Sequence, residues 1–164
     1  MTREDAIQCM EEYFGENKRY IEHTHKVLAV AEQILDAEGI DETFVSDVVV
    51  LSTIFHDIGI PEAEKKYNSP AAEYQEKEGG PIARELLTGL NVRPDILERV
   101  CYIVRHHHTI EKVDGIDFQV LWEADFVVNI DEKNITVEKG EEQKAIDENF
   151  ITATGTKLIS GMFK

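Results

Sequence analysis

The sequence predicts an all-α protein, a single-domain helical bundle over residues 1–164. Apolar residues recur at helical spacing through nearly the whole chain, and no strand–helix alternation or internal repeat interrupts them. A chain of 164 residues fits one compact domain, and an apolar fraction of 42% is enough to form a core. These features together favour helices packed on helices.

Three helices are predicted at the start of the chain, at residues 2–14, 17–38 and 41–57. The first two have polar and apolar faces, which is typical of helices on the outside of a bundle. The third is apolar nearly all round, so we expect it to lie at the centre of the domain.

Glycines and prolines mark the segment 58–81, which we therefore predict to be a loop with one short helix at about 70–78. Further helices are predicted at 81–89, 94–107, 117–129, 141–150 and 152–162. Only Val113–Phe118 hints at extended structure. The motifs described below lie within about 17–130, so residues 131–164 are expected to form a C-terminal helical extension.

The net charge of −16 argues against a nucleic-acid partner, because phosphate backbones require clustered lysines and arginines. It also argues against binding to anionic lipid, and apolar runs such as Val48–Leu51 are far shorter than the ~20 residues that span a bilayer. The two cysteines, Cys9 and Cys101, form no CxxC pair, so we expect a reducing, cytoplasmic setting. An exposed apolar patch would support a homodimer, although the sequence marks none.

All six histidines fall in three short segments on helices or at their ends. His23 shares a helical face with apolar residues and is predicted to point inward, either as a core histidine or as a ligand. His25 points about 200° away and is expected at the surface. Periodicity does not separate the three consecutive histidines, but we favour His106 and His107 as facing a site and treat His108 as ancillary.

Three acidic or titratable residues stand in apolar surroundings. His56 and Asp57 close the most apolar helix, where charged groups are costly unless they are paired or coordinate a metal ion. Asp57 has the alternative of capping the turn before Gly59. Asp125 lies on an apolar helical face and needs either a metal ion or a salt bridge. The candidate partners for that salt bridge are Arg19 and Arg105.

Taken together, these residues resemble the HD superfamily of metal-dependent phosphohydrolases, whose motif H…HD…D lies on an all-helical bundle. The doublet stands in Phe-His-Asp-Ile-Gly at 55–59, which looks like the family's HDIG form. The resemblance covers about 17–130 and includes a glycine-then-helix element at 79–84. It implies a divalent metal ion (Mn, Fe, Co, Ni, Zn or Mg). The implied ligands are His23, His56, Asp57 and Asp125.

The chain departs from the family pattern at Gln75. Family members that hold two metal ions usually have a histidine four residues before the first glycine of that element, where Gln75 stands here. Glutamine is a poor ligand for a transition metal, so we expect one ion per chain. We place Gln75 and Glu76 among the substrate-binding residues.

The resemblance implies hydrolysis of a small phosphate ester, such as a nucleotide or another phosphomonoester, by metal-activated water. Asp57 is expected to orient that water. His106 and His107 are expected to bind phosphate oxygens or to protonate the leaving group, because histidine titrates in the useful range.

Basic residues near the motif are candidates for phosphate binding. Arg19 either contacts phosphate bidentately or holds Asp125. Lys65 and Lys66 lie just past the doublet and are candidates for a phosphate clamp, although solvated loop lysines are the ordinary interpretation.

Two other functions stay open. Some HD relatives hold a di-iron centre and perform oxygen chemistry, although Gln75 argues against two irons. The other alternative is a non-catalytic module that uses the fold for ligand sensing. The sequence contains no Walker, GxGxxG or GxSxG motif, which argues against NTPase, Rossmann and serine-hydrolase functions.

Overall fold

The computed structural model describes residues 1–163, which form nine α-helices, one 3₁₀ turn and no strand. The helices are α1 (Arg3–Phe14), α2 (Lys18–Ala37), α3 (Thr43–Phe55), α4 (Ile60–Tyr67), α5 (Ala72–Gly89), α6 (Pro94–His106), α7 (Ile116–Asp131), α8 (Glu142–Asn149) and α9 (Ala153–Met162), and the 3₁₀ turn is Ile110–Lys112. The predicted all-α fold is confirmed. The extended structure expected at Val113–Phe118 is wrong, because α7 already begins at Ile116.

The central element is α3, which packs against α1, α2, α6 and α7. Its side chains Val48, Val49, Ile54 and Phe55 are fully buried. Burying an apolar side chain of this size stabilises a fold by about 1.5–3 kcal/mol, so α3 supplies much of the core. The prediction that the third helix is central is therefore confirmed.

The segment Thr43–Tyr67, which includes α3 and α4, is long and apolar enough by composition to cross a membrane. However, 67% of its most apolar stretch is buried inside the protein. The helices packed around α3 account for that apolar character, as they do for any core helix.

The segment predicted as a loop at 58–81 is helical over most of its length, because α4 occupies Ile60–Tyr67. The short helix predicted there at about 70–78 is confirmed as the first half of α5, but α5 continues without a break through Gly79, Gly80 and Pro81. Pro81 lacks the N–H that would bond to the carbonyl one turn earlier, but its exposed position leaves that carbonyl open to water.

Two of the glycines allow a close approach between α5 and the turn before α4. A Cβ on Gly59 would lie 2.6 Å from the backbone nitrogen of Gly79 and would also collide with the Gln75 carbonyl oxygen. Gly79 in turn packs against the side chain of Val104 on α6. These glycines therefore serve helix packing, and the sequence pattern alone does not distinguish that use from a helix stop.

The C-terminal helices pack on α7 through a second, smaller apolar cluster of Val127, Ile146, Phe150 and Ile159. The carboxylate of Glu123 on α7 is fully buried beneath them. It accepts hydrogen bonds from Thr152 Oγ1 at 2.6 Å, from the Ile151 backbone N–H at 2.8 Å and from Gln119 Nε2 at 2.7 Å. Gly155 makes room for this group, since any Cβ there would collide with the Glu123 carboxylate.

We expect Glu123→Ala to lower the free energy of unfolding by about 3 kcal/mol, because it leaves several buried donors without an acceptor. Urea unfolding followed by circular dichroism measures the change. Glu148→Ala, an exposed glutamate on α8, is the control and should stay within about 0.5 kcal/mol of the parent protein. Equal unfolding midpoints for the two variants would contradict the anchoring role of Glu123.

Candidate metal centre

The structure brings the four predicted metal ligands together from three separate elements. His23 lies on α2, His56 and Asp57 in the turn after α3, and Asp125 on α7. Asp125 Oδ1 is 3.1 Å from His23 Nε2 and 3.4 Å from His56 Nε2. Asp57 Oδ2 is 3.4 Å and 3.3 Å from the same two nitrogens. Two imidazoles and two carboxylates thus face a single point.

His56 and His107 are oriented by the same kind of hydrogen bond to the backbone. Each follows the end of a helix, and each Nδ1 donates to the carbonyl three residues earlier, Thr53 O at 2.6 Å and Val104 O at 2.7 Å. This directs Nε2 of each ring into the centre, 3.3 Å and 3.4 Å from the Asp57 carboxylate. Within residues 1–163 these two buried nitrogens have no hydrogen-bond partner. A buried ring nitrogen of this kind suits a metal ion, which can take the place of a proton.

The charges of the centre are strongly coupled. Burial alone would raise the pKa of Asp57, but His56 and His107 hold that pKa well below its usual range. Burial also opposes protonation of His56, yet Asp57 and Asp125 raise its pKa well above the ordinary value. Both carboxylates are therefore ionised, and the imidazoles offer their nitrogens either to protons or to a cation. The donor set carries two negative charges, which matches a divalent ion.

Asp57 stands between two groups of ligand atoms. One group is His23, His56 and Asp57, and the other is Asp57, His107 and His108; in each, the ligand atoms lie within 4.8 Å of one another. The second group adjoins Gln75, whose Oε1 accepts a hydrogen bond from His108 Nε2 at 2.8 Å. Gln75 thus engages one ring nitrogen of His108, which belongs to the second group.

Glu132, at the end of α7, is a residue of the centre that the sequence analysis missed. Its Oε1 accepts a hydrogen bond from His23 Nδ1 at 2.6 Å, and its Oε2 accepts one from Lys26 Nζ at 3.1 Å. Burial opposes ionisation of Glu132, but these two partners lower its pKa. The contact fixes the His23 tautomer with Nε2 toward the aspartates. Glu132 follows Asp125 by seven residues, two helical turns on the same face, and that spacing could have indicated it.

The predicted order of the consecutive histidines needs correction. His106, expected to face the site, packs against Tyr102 with ring centroids 4.7 Å apart and ring planes at 59°, and it does not line the cavity of the centre. His108, treated as ancillary, does line it. His108 is exposed at the mouth of the cavity, and partial loss of hydration together with the neighbouring His107 lowers the pKa of its ring. Since α6 ends at His106, the helical phase used for the prediction does not extend to His107 and His108.

A cavity of about 430 Å³ opens over the centre, and its lining includes three of the four predicted ligands, His23, Asp57 and Asp125. Arg19, Tyr20, Gln75 and Asn134 also line it. Arg19 is the only lysine or arginine among the described lining residues. Its Nη2 lies 3.4 Å from Asn134 Oδ1, and neither Arg19 nor Arg105 pairs with Asp125 within residues 1–163. Arg19 therefore does not hold Asp125, and its position in the cavity wall is compatible with the other expected role, contact with a phosphate group.

Three other predicted substrate-binding residues lie outside this cavity. Lys65 and Lys66 are exposed on α4, and Lys66 Nζ pairs with Glu78 at 2.9 Å. The carboxylate of Glu76 accepts hydrogen bonds from the His108 backbone N–H at 3.0 Å and from Thr109 Oγ1. The lysines therefore form no clamp at the centre, because they lie on the exposed face of α4 and point to solvent. Glu76 instead binds the segment that follows α6 and holds it in place. His25 is exposed, as expected, and contacts Glu11.

This geometry defines a class of helical domains that can hold a divalent metal ion between histidines and aspartates of separate helices. The HD domain family model matches residues 20–148, and the chain belongs to that family. The fold is also similar to the crystal structure of a predicted HD superfamily hydrolase from an uncultured Thermotogales bacterium, with a TM-score of 0.70 and 18% identity. That match covers 98% of this chain and 84% of the other. No curated protein matches the sequence.

We expect Glu132→Ala to weaken Mn²⁺ binding by about 10–100-fold, because His23 loses the group that fixes its tautomer and orientation. Isothermal titration calorimetry measures the affinity. Glu132→Gln keeps an oxygen acceptor for His23 Nδ1 and should fall between the parent protein and the alanine variant. Glu138→Ala removes an exposed carboxylate elsewhere and should bind like the parent. Unchanged affinity in Glu132→Ala would refute the positioning role.

Proposed function

We propose that this chain is a metal-dependent phosphohydrolase that cleaves a small phosphate ester, a nucleotide or another phosphomonoester. One observation carries the proposal: the buried Nε2 atoms of His56 and His107 lack hydrogen-bond partners within the described chain and face ionised carboxylates. Buried nitrogens without partners beside ionised carboxylates are unfavourable unless a cation binds them, and this supports metal chemistry. The HD domain family membership supports the same function.

The residues that would hold the ion are His23, His56, Asp57 and Asp125. Imidazole and carboxylate donors suit Mn²⁺, Fe²⁺, Co²⁺, Ni²⁺, Zn²⁺ or Mg²⁺, and the two carboxylates neutralise one divalent charge. A divalent cation held there supplies Lewis acidity, which lowers the pKa of water and draws charge from a phosphoryl group. One ion per chain is the stoichiometry that Gln75 favours, because its amide engages His108.

The chain's own residues have distinct roles in this proposal. Asp57 accepts a hydrogen bond from the attacking water and orients it toward phosphorus. His107 Nε2, 3.4 Å from Asp57 Oδ1, is placed to exchange a proton with Asp57 or with the departing oxygen. Arg19 binds phosphate oxygens at the cavity wall, since the guanidinium has several donors in one plane.

A second candidate function follows from the other ligand group. Asp57, His107 and His108 would hold a second ion if His108 turned away from Gln75, and a di-iron centre would permit oxygen chemistry. Elemental analysis of protein purified without added metal separates the two functions. One ion per chain supports the hydrolase, whereas two irons with a visible absorption band support the oxygenase. A metal-loaded protein that turns over no substrate but binds one tightly would instead support the ligand-sensing module.

We expect Asp57→Ala to lose metal and to abolish phosphate release with the fold retained, because it removes the carboxylate shared by both ligand groups. The measurement is a screen of phosphorylated small molecules with each divalent metal in turn, with circular dichroism to verify folding. His25→Ala, an exposed histidine on the same helix as His23, should match the parent protein. Phosphate release by Asp57→Ala at the parent rate would contradict the proposal.

We expect Arg19→Ala to raise KM for a phosphate ester by about tenfold with metal content unchanged, because a charge-assisted hydrogen bond to phosphate is lost. The control is Arg93→Ala, which removes an exposed arginine that pairs with Asp95 and does not line the cavity; it should keep the parent KM. A loss of metal in Arg19→Ala would instead assign this residue to the stability of the centre.

A further inference from the structure

A second cavity of about 350 Å³ adjoins the metal centre, and none of the roles described above uses its aromatic side chains Trp122 and Phe126. It shares His108, Asp125, Asn129 and Asn134 with the first cavity. The part that it does not share is formed by His107 and by three apolar or aromatic side chains, Trp122, Phe126 and Ile135. Two contiguous cavities therefore meet at Asp125, one polar and one with an aromatic wall.

The two aromatic side chains of this wall are held in fixed positions. Trp122 and Phe126 stand one helical turn apart on α7, on either side of Asp125 in sequence. Trp122 Nε1 donates to Asn149 Oδ1 at 3.1 Å. Phe126 packs edge-to-face on Phe150, with ring centroids 5.2 Å apart and ring planes at 84°. Because both rings are fixed from behind, their faces toward the cavity are preorganised.

A polar edge connects this aromatic wall with Arg19. The side-chain amide of Asn134 donates to Asn129 Oδ1 at 3.0 Å, and Asn134 Oδ1 lies 3.4 Å from Arg19 Nη2. The described lining of the second cavity contains no lysine or arginine. An anionic group is thus favoured on the Arg19 side, and an uncharged planar group on the Trp122 side.

We propose that the second cavity binds a planar aromatic ring of the substrate, next to the phosphate in the first cavity. This inference rests on the proposed function and deepens it, because it assigns Trp122, Phe126 and Ile135 as the residues that determine substrate specificity. The ring has two chemical sources, a nucleobase joined through a sugar or an aryl group joined directly to the ester oxygen. Both share the flat face that stacks on an indole.

The first experiment measures binding without turnover. Trp122 is the only tryptophan of the chain, so its fluorescence reports on this cavity. Metal-loaded protein is titrated with adenosine, with benzyl alcohol and with ribose, none of which carries a phosphate. We expect a saturable fluorescence change with at least one ring-bearing probe and none with ribose. The probe that binds more tightly identifies the source of the ring. No saturable change with either ring-bearing probe overturns the inference.

The second experiment uses variants and phosphate esters. Trp122→Ala should raise KM for adenosine 5′-monophosphate or phenyl phosphate by about tenfold or more and leave KM for glycerol 3-phosphate unchanged. Trp122→Phe keeps a ring face and should restore most of the affinity. An equal loss for glycerol 3-phosphate would show a merely structural role and would overturn the inference.

A matched pair of isoleucines keeps the test decisive if Trp122→Ala fails to fold. Ile135 in the cavity wall and Ile116 at the start of α7 are similarly exposed, 38% and 43%. Ile135→Ala should weaken the fluorescence response to the ring-bearing probe, and Ile116→Ala should not. Equal responses count against the inference. Ring binding without hydrolysis of any ester would refute the proposed function alone, whereas hydrolysis without a ring preference would refute this inference alone.

Discussion

The buried charge of Asp57 and Asp125 is the constraint on which the rest of the structure depends. Removing a carboxylate from water costs several kcal/mol unless charges or hydrogen bonds compensate. The imidazoles of His23 and His56 stand within 3.1–3.4 Å of both carboxylates, but they come from different elements. The arrangement therefore requires α2, α3 and α7 to lie side by side at the level of these residues. The apolar surface of α3 packs against both other helices and holds them there.

Local backbone chemistry then converts this packing into a defined donor set. The last carbonyls of a helix lack intrahelical partners, and His56 and His107 each satisfy one of them through Nδ1. The same hydrogen bond determines the direction of the opposite ring nitrogen, so a helix end becomes a metal-ligand position. Close contact between Gly59 and Gly79 keeps the turn that carries His56 against α5. The Nδ1 hydrogen bond thus sets the orientation of each ring, and the close glycine contact sets the position of the turn that carries His56.

Much of the fold and the convergence of the ligands could be predicted from the sequence, because both depend on helical phase. His23 and Asp125 stand on apolar faces, and the phase is well defined in the middle of long helices. Helical phase is no longer defined beyond the end of a helix, and α6 ends at His106. For this reason the sequence wrongly predicts that His106 faces the cavity and that His108 does not. Glycines that permit close packing have the same sequence signal as glycines that stop a helix, and this accounts for α5 being predicted as two separate helices. Long-range partners such as Glu132 for His23 depend on tertiary contact, which a single sequence encodes only through spacing.

The charge of the whole chain bears on how the centre would gain affinity for a phosphorylated molecule. A net charge of −16 opposes the approach of an anion, and Arg19 is the only described lysine or arginine in the first cavity. Electrostatic attraction is therefore confined to the cation and one guanidinium. An uncharged ring stacked on Trp122 is insensitive to the surrounding field, because its binding depends on apolar contact and desolvation. In an acidic protein, an uncharged part of a ligand can add binding affinity because the negative charge of the protein does not repel it. The juxtaposition of an aromatic wall with a small anion site is the arrangement that this balance of forces favours.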